Sequence, residues 1–268
     1  MNHTLVIADK DKIVSFLWQH CLLLISLFIL TLGVALCIRS NLGSSVISSI
    51  PLAFTIAGTE GYVPPLSLGM YTNILNVLLV GAQIIILGRQ FPPLQLLQLV
   101  ISLVFGVLID LNMALTAPLE CITLSDQIVT QVAGCTIMGI GVALEVRCGS
   151  VTMAGEGVPI AISRKWGIPF PKAKISLDTT LVMLAAVASI GFFGSWQWNI
   201  VGIGTLFAMI YVGLVVKFIG RRMAWFDRLL LYRPECADTS TGCCASCTPT
   251  GNDPRLAPAA GFNNTDPK

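Results

Sequence analysis

The chain has 268 residues, of which 54% are hydrophobic and 11% are charged, and its formal net charge is +2. A soluble domain carries about 25% charged residues, so this composition excludes an ordinary soluble protein and predicts an all-α integral membrane protein. The basic residues lie in loops between apolar stretches rather than in one patch, which gives no support to nucleic acid as a partner.

Six stretches are long enough to cross a hydrocarbon core of about 30 Å, which takes about 20 helical residues. In chain order they are Phe16–Ile38, Ser67–Leu87, Leu94–Leu115, Ile128–Val146, Ile175–Phe193 and Ile200–Ile219. The first stretch is long and lacks a small-residue cleavage pattern, so we expect a retained helix rather than a removed signal peptide.

The sequence also repeats itself at a spacing of 108 residues. The motif Gly-Val-Ala-Leu, an Arg and a Pro occur at Gly33–Leu36, Arg39 and Pro51, and again at Gly141–Leu144, Arg147 and Pro159. Arg and Pro are both costly in membrane helices, so their recurrence at one spacing favours an internal duplication. Duplication is a common origin of transporters that have a central binding site.

These patterns divide the chain into five parts. They are a cytoplasmic segment at 1–13, two membrane repeats at 14–116 and 117–220, a cytoplasmic amphipathic segment at 221–233 and a disordered tail at 234–268. The amphipathic segment is basic and aromatic, which suits an anionic headgroup layer. The tail is rich in small polar residues and Pro, a composition that is typical of disorder.

Charge fixes the predicted orientation. With the N-terminus in the cytoplasm, the basic residues that flank the spans lie on the inner side, with the exception of Arg39, as the positive-inside rule requires. Both termini are then cytoplasmic. Each repeat contains three spans, an odd number, so the second repeat is inverted relative to the first, as in many secondary transporters.

A further apolar segment follows the first span of each repeat, at 44–58 and 151–165. Counting both as crossings gives an eight-span alternative with parallel repeats. That alternative places Glu156, Arg164 and Lys165 inside the bilayer, where charges are expensive. We therefore expect a re-entrant or interfacial half-helix at each place, which is stable only where it packs in protein or lines a wet cavity.

Several polar residues are candidates for solute binding. Arg39 and Arg147 end the first spans, as cationic contacts for an anionic ligand, as partners for buried carboxylates, or as anchors that snorkel to the interface. Glu156 lies between glycines, ahead of Pro159 in what we expect to be a helix first turn. A helix N-terminus there favours negative charge, from Glu156 itself or from an anionic ligand, although Glu156 as a simple helix cap is an equal alternative.

Before Pro51, the equivalent positions carry Ser44, Ser45, Ser48 and Ser49, whose hydroxyls either contact a ligand or only cap a helix. Asp178 lies a turn into the fifth span and is a candidate for proton coupling or cation binding, or for a local pair with Lys174. Asn73, Asn76 and Gln83 form a polar stripe in the second span, a pattern often explained by interhelical hydrogen bonds alone. Near other span ends, Asp110 and Glu145 are expected on solvated faces, with a buried ion pair to a basic neighbour as the alternative for Glu145. The candidate substrate-binding residues are Arg39, Ser44, Ser48, Pro51, Asn73, Arg147, Glu156, Pro159 and Asp178.

Catalysis has little support. The two histidines, His3 and His20, form no metal or nucleophile pattern, and no phosphate-cradling loop is present. The tail cysteines Cys236, Cys243, Cys244 and Cys247 do not form the two spaced pairs of a zinc ribbon. We therefore expect no enzyme activity, no cofactor and no metal.

The segments 38–51 and 155–165 resemble two motifs of the YczE/YitT-like bacterial multi-pass membrane proteins, and 172–178 and Gly204-Thr205 are similar to later motifs of that family. The resemblance covers most of the chain up to about Gly220. It implies a multi-pass protein of the bacterial inner membrane and supplies no substrate or catalytic set.

The sequence thus favours a secondary transporter of a small solute, with an anion as one candidate class and proton coupling through Asp178 or Glu156. The alternative is a non-transporting membrane protein that assists or regulates a partner. The expected partners are membrane lipid and the small-molecule solute, and a homodimer is left open.

Overall fold

The computed structural model describes residues 2–148 and 153–222, and these residues are helical apart from turns and short connections. The α-helices are α1 (Asn2–Arg39), α2 (Val46–Thr59), α3 (Leu68–Leu87), α4 (Leu97–Leu115), α5 (Leu124–Cys148), α6 (Ala154–Trp166), α7 (Phe170–Phe193) and α8 (Ile203–Arg222). Two short 3-10 helices, Gly88–Gln90 and Pro93–Leu96, connect α3 to α4.

Among the described residues, five segments are long and apolar enough to cross a membrane: Trp18–Arg39, Leu68–Gln90, Leu97–Leu115, Leu124–Val146 and Phe170–Phe193. They coincide with five of the six predicted spans and are typical of a membrane-embedded protein. The sixth predicted span falls in α8, whose apolar part, Ile203–Ile219, is shorter.

Two boundaries differ from expectation. α1 begins at Asn2, so the predicted N-terminal segment continues the helix of the first span. No Gly or Pro lies in residues 2–16 to interrupt it. The predicted amphipathic segment starts with Arg221 and Arg222, which end α8. Its remainder, and the tail with its four cysteines, lie outside the described residues.

A short helix follows each first span, as predicted. α2 has 14 residues and α6 has 13, fewer than the roughly 20 that a crossing needs. Their first residues, Val46 and Ala154, are 108 positions apart, so both begin at the same point of the repeat.

α1 and α5 pack along their lengths in opposite directions. A β-carbon on Gly33 would overlap the backbone of Met138, and one on Gly141 would lie 2.6 Å from Leu30 Cα. Toward the end of α1, Cys37 Sγ lies 3.7 Å from Cys135 Sγ. Residue numbers therefore rise along α1 as they fall along α5, and the glycines let the two backbones approach closely.

The other helices surround this pair. α4 packs on α1 and α8 packs on α5, while α2 packs on α7 and α6 packs on α3. α2 also contacts α3, and α6 contacts α7. α3 and α4 pack closely, whereas within the described ranges α7 and α8 scarcely touch.

Candidate functional site

The two short helices meet at their N-termini. A β-carbon on Gly155, the second residue of α6, would lie 2.8 Å from Cδ1 of Ile47, the second residue of α2. The preceding residues, Ser45 and Met153, have nearly the same extended backbone, with φ/ψ of −68/154 and −60/155. Neither side chain caps its helix. The positive ends of two helix dipoles therefore lie close together inside the protein.

Pro51 and Pro159 are buried inside α2 and α6, five residues after each helix begins. The expectation that Pro159 occupies the first turn is therefore wrong, because the helix already starts at Ala154. A proline has no N–H, so the carbonyl groups four residues earlier lose their helical donors. Those carbonyls belong to Ile47 and Gly155, the two residues that meet.

The serines before Pro51 bond to one another and to the backbone. Ser44 Oγ lies 3.1 Å from Ile200 O and 3.1 Å from Ser49 Oγ, and either oxygen can accept its single proton. Ser45 Oγ donates to Ser48 Oγ at 2.8 Å. All four serines are buried. Simple helix capping does not describe them, because Ser44 links α2 to the segment that leads into α8.

Arg39 joins the end of α1 to the end of α4. Its Nη2 donates to Met113 O at 2.9 Å, and its buried Nε has no hydrogen-bond partner among the described residues. A cation near the final carbonyls of a helix interacts favourably with the helix dipole, so this contact ties the end of α1 to the end of α4. A role in ligand binding or at the interface stays a prediction. Arg147 belongs to α5, but its side chain lies outside the described part of the chain.

Four ionisable side chains from three helices interact with one another: Glu145 of α5, Glu156 of α6, and Lys174 and Asp178 of α7. Glu145 is buried, with 6% of its surface exposed. It accepts the backbone N–H of Met153 and interacts electrostatically with Glu156 and Lys174. Lys174 Nζ lies 3.0 Å from Asp178 Oδ1. Three carboxyl groups therefore share one ammonium group.

The expectation of a solvated face for Glu145 is wrong, because its carboxyl group is buried and accepts the N–H of Met153, the residue that precedes α6. Its interaction with Lys174 is the pairing with a basic neighbour that the sequence left as an alternative. Burial raises the pKa of Glu156, and the positive charge of Lys174 opposes that rise while Asp178 adds to it. Such a cluster favours proton uptake by one of its carboxyl groups. Among the described residues, no group of three His, Cys, Asp or Glu side chains is arranged to hold a metal ion.

The polar stripe of α3 faces α4 and α6. Gln83 Nε2 donates to Ala154 O at 3.2 Å, and Gln98 Nε2 donates to Gln83 Oε1 at 3.1 Å. Asn73 packs against Gly106 of α4. Interhelical hydrogen bonding therefore accounts for Gln83, but Asn76 is 1% exposed and its Nδ2 has no partner in the described residues.

Asp110 is a second acidic residue that sequence reasoning placed on a solvated face. It is partly buried, and its carboxylate accepts from Ser67 Oγ at 2.6 Å and from Gly69 N at 2.7 Å. Asp110 thereby caps the N-terminus of α3 from the neighbouring helix. The local signal was Ser67 as an N-cap, but nothing in the sequence shows that Asp110 lies opposite it.

This arrangement can be compared with known proteins. The profile of one family matches residues 17–221, which cover the described helices apart from the first part of α1 and the last residue of α8. The chain belongs to the family of unknown function DUF6198. The DUF6198 match leaves the tail outside the family region. No curated protein and no solved structure matches the chain.

Proposed function

We propose that this chain is a secondary transporter of a small polar solute across the bacterial inner membrane, and that it is a relative of the YczE/YitT-like proteins. In this proposal it has six spans, arranged as two inverted three-span repeats with re-entrant α2 and α6. The observation that carries the proposal is a symmetry of the helix contacts: when the two repeats are exchanged, most contacts correspond to other contacts that are also present.

The symmetry holds at the level of single residues. Adding the repeat spacing to Gly33 and Leu30 gives Gly141 and Met138. The contact of Gly33 with Met138 therefore corresponds to the contact of Gly141 with Leu30. Adding the same spacing to Ile47 gives Gly155, so exchanging the repeats leaves the contact between these two residues unchanged. A two-fold axis between antiparallel α1 and α5 accounts for all three, and inverted-repeat transporters have such an axis in the membrane plane.

The neighbouring helices support the same symmetry. Exchanging the repeats turns the α1–α4 pair into α5–α8, and the α2–α7 pair into α6–α3, and each of these pairs is in contact. The exception is α3–α4, because its counterpart α7–α8 scarcely touches. We interpret this difference as one state of an alternating-access cycle, in which the repeats exchange arrangements to open the opposite side.

The carboxyl cluster suits proton coupling. Glu145, Glu156 and Asp178 share Lys174, so one proton relieves repulsion among buried negative charges. The cluster includes the first turn of α6 and is therefore next to the helix junction at Ile47 and Gly155. Uptake of a proton there would change the electrostatics of a helix end that moves during the cycle.

The test is solute-dependent proton flux in liposomes that contain the purified full-length protein. We expect flux in the parent protein and a loss of at least tenfold in Asp178→Asn and Glu156→Gln. Glu120→Gln is the matched control, because Glu120 is exposed between α4 and α5, and it should retain parental flux. Equal flux in all variants would rule out coupling through this cluster.

Silence of the parent protein across anions, amines and neutral solutes would favour the alternative of an accessory protein. Orientation has its own test, because we propose that both termini are cytoplasmic and that the loop between α2 and α3 is external. A dual topology reporter placed at 58–62 should then report the outer side. A cytoplasmic signal there would rule out the six-span arrangement.

A further inference from the structure

The interface between α3 and α4 contains a ladder of polar side chains. At one end, Gln98 donates to Gln83 at 3.1 Å. At the other end, Asn73 lies against Gly106. Residue numbers fall along α3 as they rise along α4, so the two helices are antiparallel.

Asn76 and Ser102 lie between these two contacts. Asn76 is two turns from Gln83, and Ser102 is one turn from Gln98. With a rise of about 1.5 Å per residue, the two positions lie within about one helical turn of each other. The side chains are 1% and 2% exposed, respectively. Neither Asn76 Nδ2 nor Ser102 Oγ has a hydrogen-bond partner among the described residues.

Such groups are uncommon. Buried polar side chains almost always have a partner in the protein or in bound solvent, and a membrane interior offers no bulk water as a substitute. Two unpartnered groups at neighbouring positions of one helix pair are therefore more informative than one. They indicate a place that is completed by a bound polar molecule.

We propose that Asn76 and Ser102 bind the transported solute, and that this solute is a small uncharged molecule with a carbonyl or hydroxyl oxygen. The proposal rests on the transport function above and names its substrate class. Asn76 Nδ2 donates to the solute oxygen, and Ser102 Oγ donates or accepts.

The chemistry of the two helices argues against an ion. α3 contains no charged residue, and the single charged residue of α4, Asp110, is engaged with Ser67 and Gly69. Arg39, the cation considered for an anionic ligand, is engaged with Met113. A charged solute at Asn76 would therefore be bound without a counter-charge, at a high desolvation cost.

The site also connects to the proposed coupling cluster. Gln83 donates to Ala154 O at 3.2 Å, at the start of α6. A β-carbon on Gly157 would overlap the Gln83 amide, so this turn of α6 packs directly on the ladder. Glu156 precedes Gly157, which provides a short path from a protonated carboxyl group to the solute site.

The experiment measures solute-driven proton flux in liposomes with the full-length protein. The probes are urea, acetamide, glycerol and sorbitol, compared with acetate, lactate and methylammonium. The variants are Asn76→Leu and Ser102→Ala, and the matched control is Ser189→Ala. Ser189 is also 2% exposed and its hydroxyl also lacks a partner in the described chain, but it lies on α7.

We expect flux with at least one uncharged probe. The half-saturating concentration should rise about tenfold in Asn76→Leu and in Ser102→Ala, which corresponds to loss of one hydrogen bond, and should stay at the parental value in Ser189→Ala. Thermal unfolding provides the folding control. Without solute, the two site variants should unfold at or above the parental temperature, because the groups they lose have no protein partner.

The outcomes are distinguishable. Flux driven only by charged probes, or flux that is unchanged in both site variants, would overturn this assignment and leave transport standing. A parent that is silent with every probe would count against the transport function itself. If both variants unfold well below the parent, the groups have structural partners and the assignment fails.

Discussion

Ile47 and Gly155 are the second residues of the short helices α2 and α6, and they touch. The position of a β-carbon on Gly155 is 2.8 Å from Ile47 Cδ1 and 3.6 Å from Ile47 Cγ1. A larger residue at Gly155 would overlap only the flexible end of the Ile47 side chain, so a second substitution at Ile47 can remove the overlap. This contact joins the starting turns of α2 and α6.

Gly155→Val should lower the thermal unfolding temperature by an amount equivalent to about 1–3 kcal/mol, because its side chain overlaps Ile47. Adding Ile47→Ala should recover part of that loss, with a coupling of about 1 kcal/mol. A double-mutant cycle on purified protein measures the coupling. Additive effects would show that the two residues do not meet.

Gly33→Ala and Gly141→Ala should each destabilise the protein by about 1–3 kcal/mol, because the new methyl group meets backbone atoms of the opposite helix. Gly81→Ala is the matched control in α3, since nothing lies within 4 Å of its β-carbon position. It should be neutral or stabilising by up to about 1 kcal/mol, because Ala is the better helix former. Equal behaviour of the three variants in thermal unfolding would contradict the close packing of α1 on α5.

Cys37 and Cys135 should form a disulfide on oxidation, because their sulfur atoms lie 3.7 Å apart. Copper phenanthroline removes two electrons and two protons from the thiol pair. Proteolysis between α4 and α5 followed by non-reducing electrophoresis should show the two halves still linked. Cys37→Ser is the control and should abolish the link. Failure to link in a variant that retains only these two cysteines would exclude the register of α1 against α5.

Asp110→Ala should destabilise the protein by about 1–2 kcal/mol, since it removes the carboxylate that caps α3. Asp110→Asn should cost less, because its side-chain oxygen can still accept the Gly69 N–H. Thermal unfolding at fixed pH measures both. If the two variants behave as the parent does, Asp110 is solvated as the sequence suggested.

The raised pKa of Glu156 predicts a pH dependence of stability. A carboxyl group whose folded pKa exceeds its unfolded value of about 4.5 contributes its stability below that value, and the contribution is lost as the pH rises through the folded pKa. The unfolding temperature should therefore fall as the pH rises above about 4.5, and that of Glu156→Gln should fall less. Glu145, Lys174 and Asp178 face the same cluster, so part of the dependence should remain. A variant with the parental slope would contradict the burial of Glu156.

The positions of the helices could be predicted because hydrophobic length is a local property. Five predicted spans coincide with long apolar helices, and a short helix follows each first span. The start of α6 was misplaced because Pro159 is typical of a first turn, whereas here the helix is held by packing of Ala154 and Gly155. Packing outweighed the local proline signal.

The candidate site was only partly predictable. Glu156 and Asp178 were proposed separately as proton-coupling candidates, and the structure places both with Lys174. Burial of Glu145 was only an alternative from the sequence, because a glutamate near a helix end usually reaches water. Its partners, Met153 N–H and Lys174, lie beyond the end of α5 and are brought to it by the fold. Asn76 was predicted as part of the polar stripe of α3. Its Nδ2 lacks a hydrogen-bond partner among the described residues, and this depends on which side chains the neighbouring helices place opposite it.

The sequence by itself determined that this is a membrane-embedded chain of apolar helices with a recurring Arg and Pro. Hydropathy and motif spacing depend only on the order of residues along the chain. Only the tertiary structure decided which polar groups meet, such as Asp110 with Ser67 and Glu145 with Met153 N–H, and that Asn76 Nδ2 has no partner among the described residues. Those pairings depend on side chains up to 43 residues apart being brought within hydrogen-bonding distance. Helix packing sets these distances, and local sequence does not encode them.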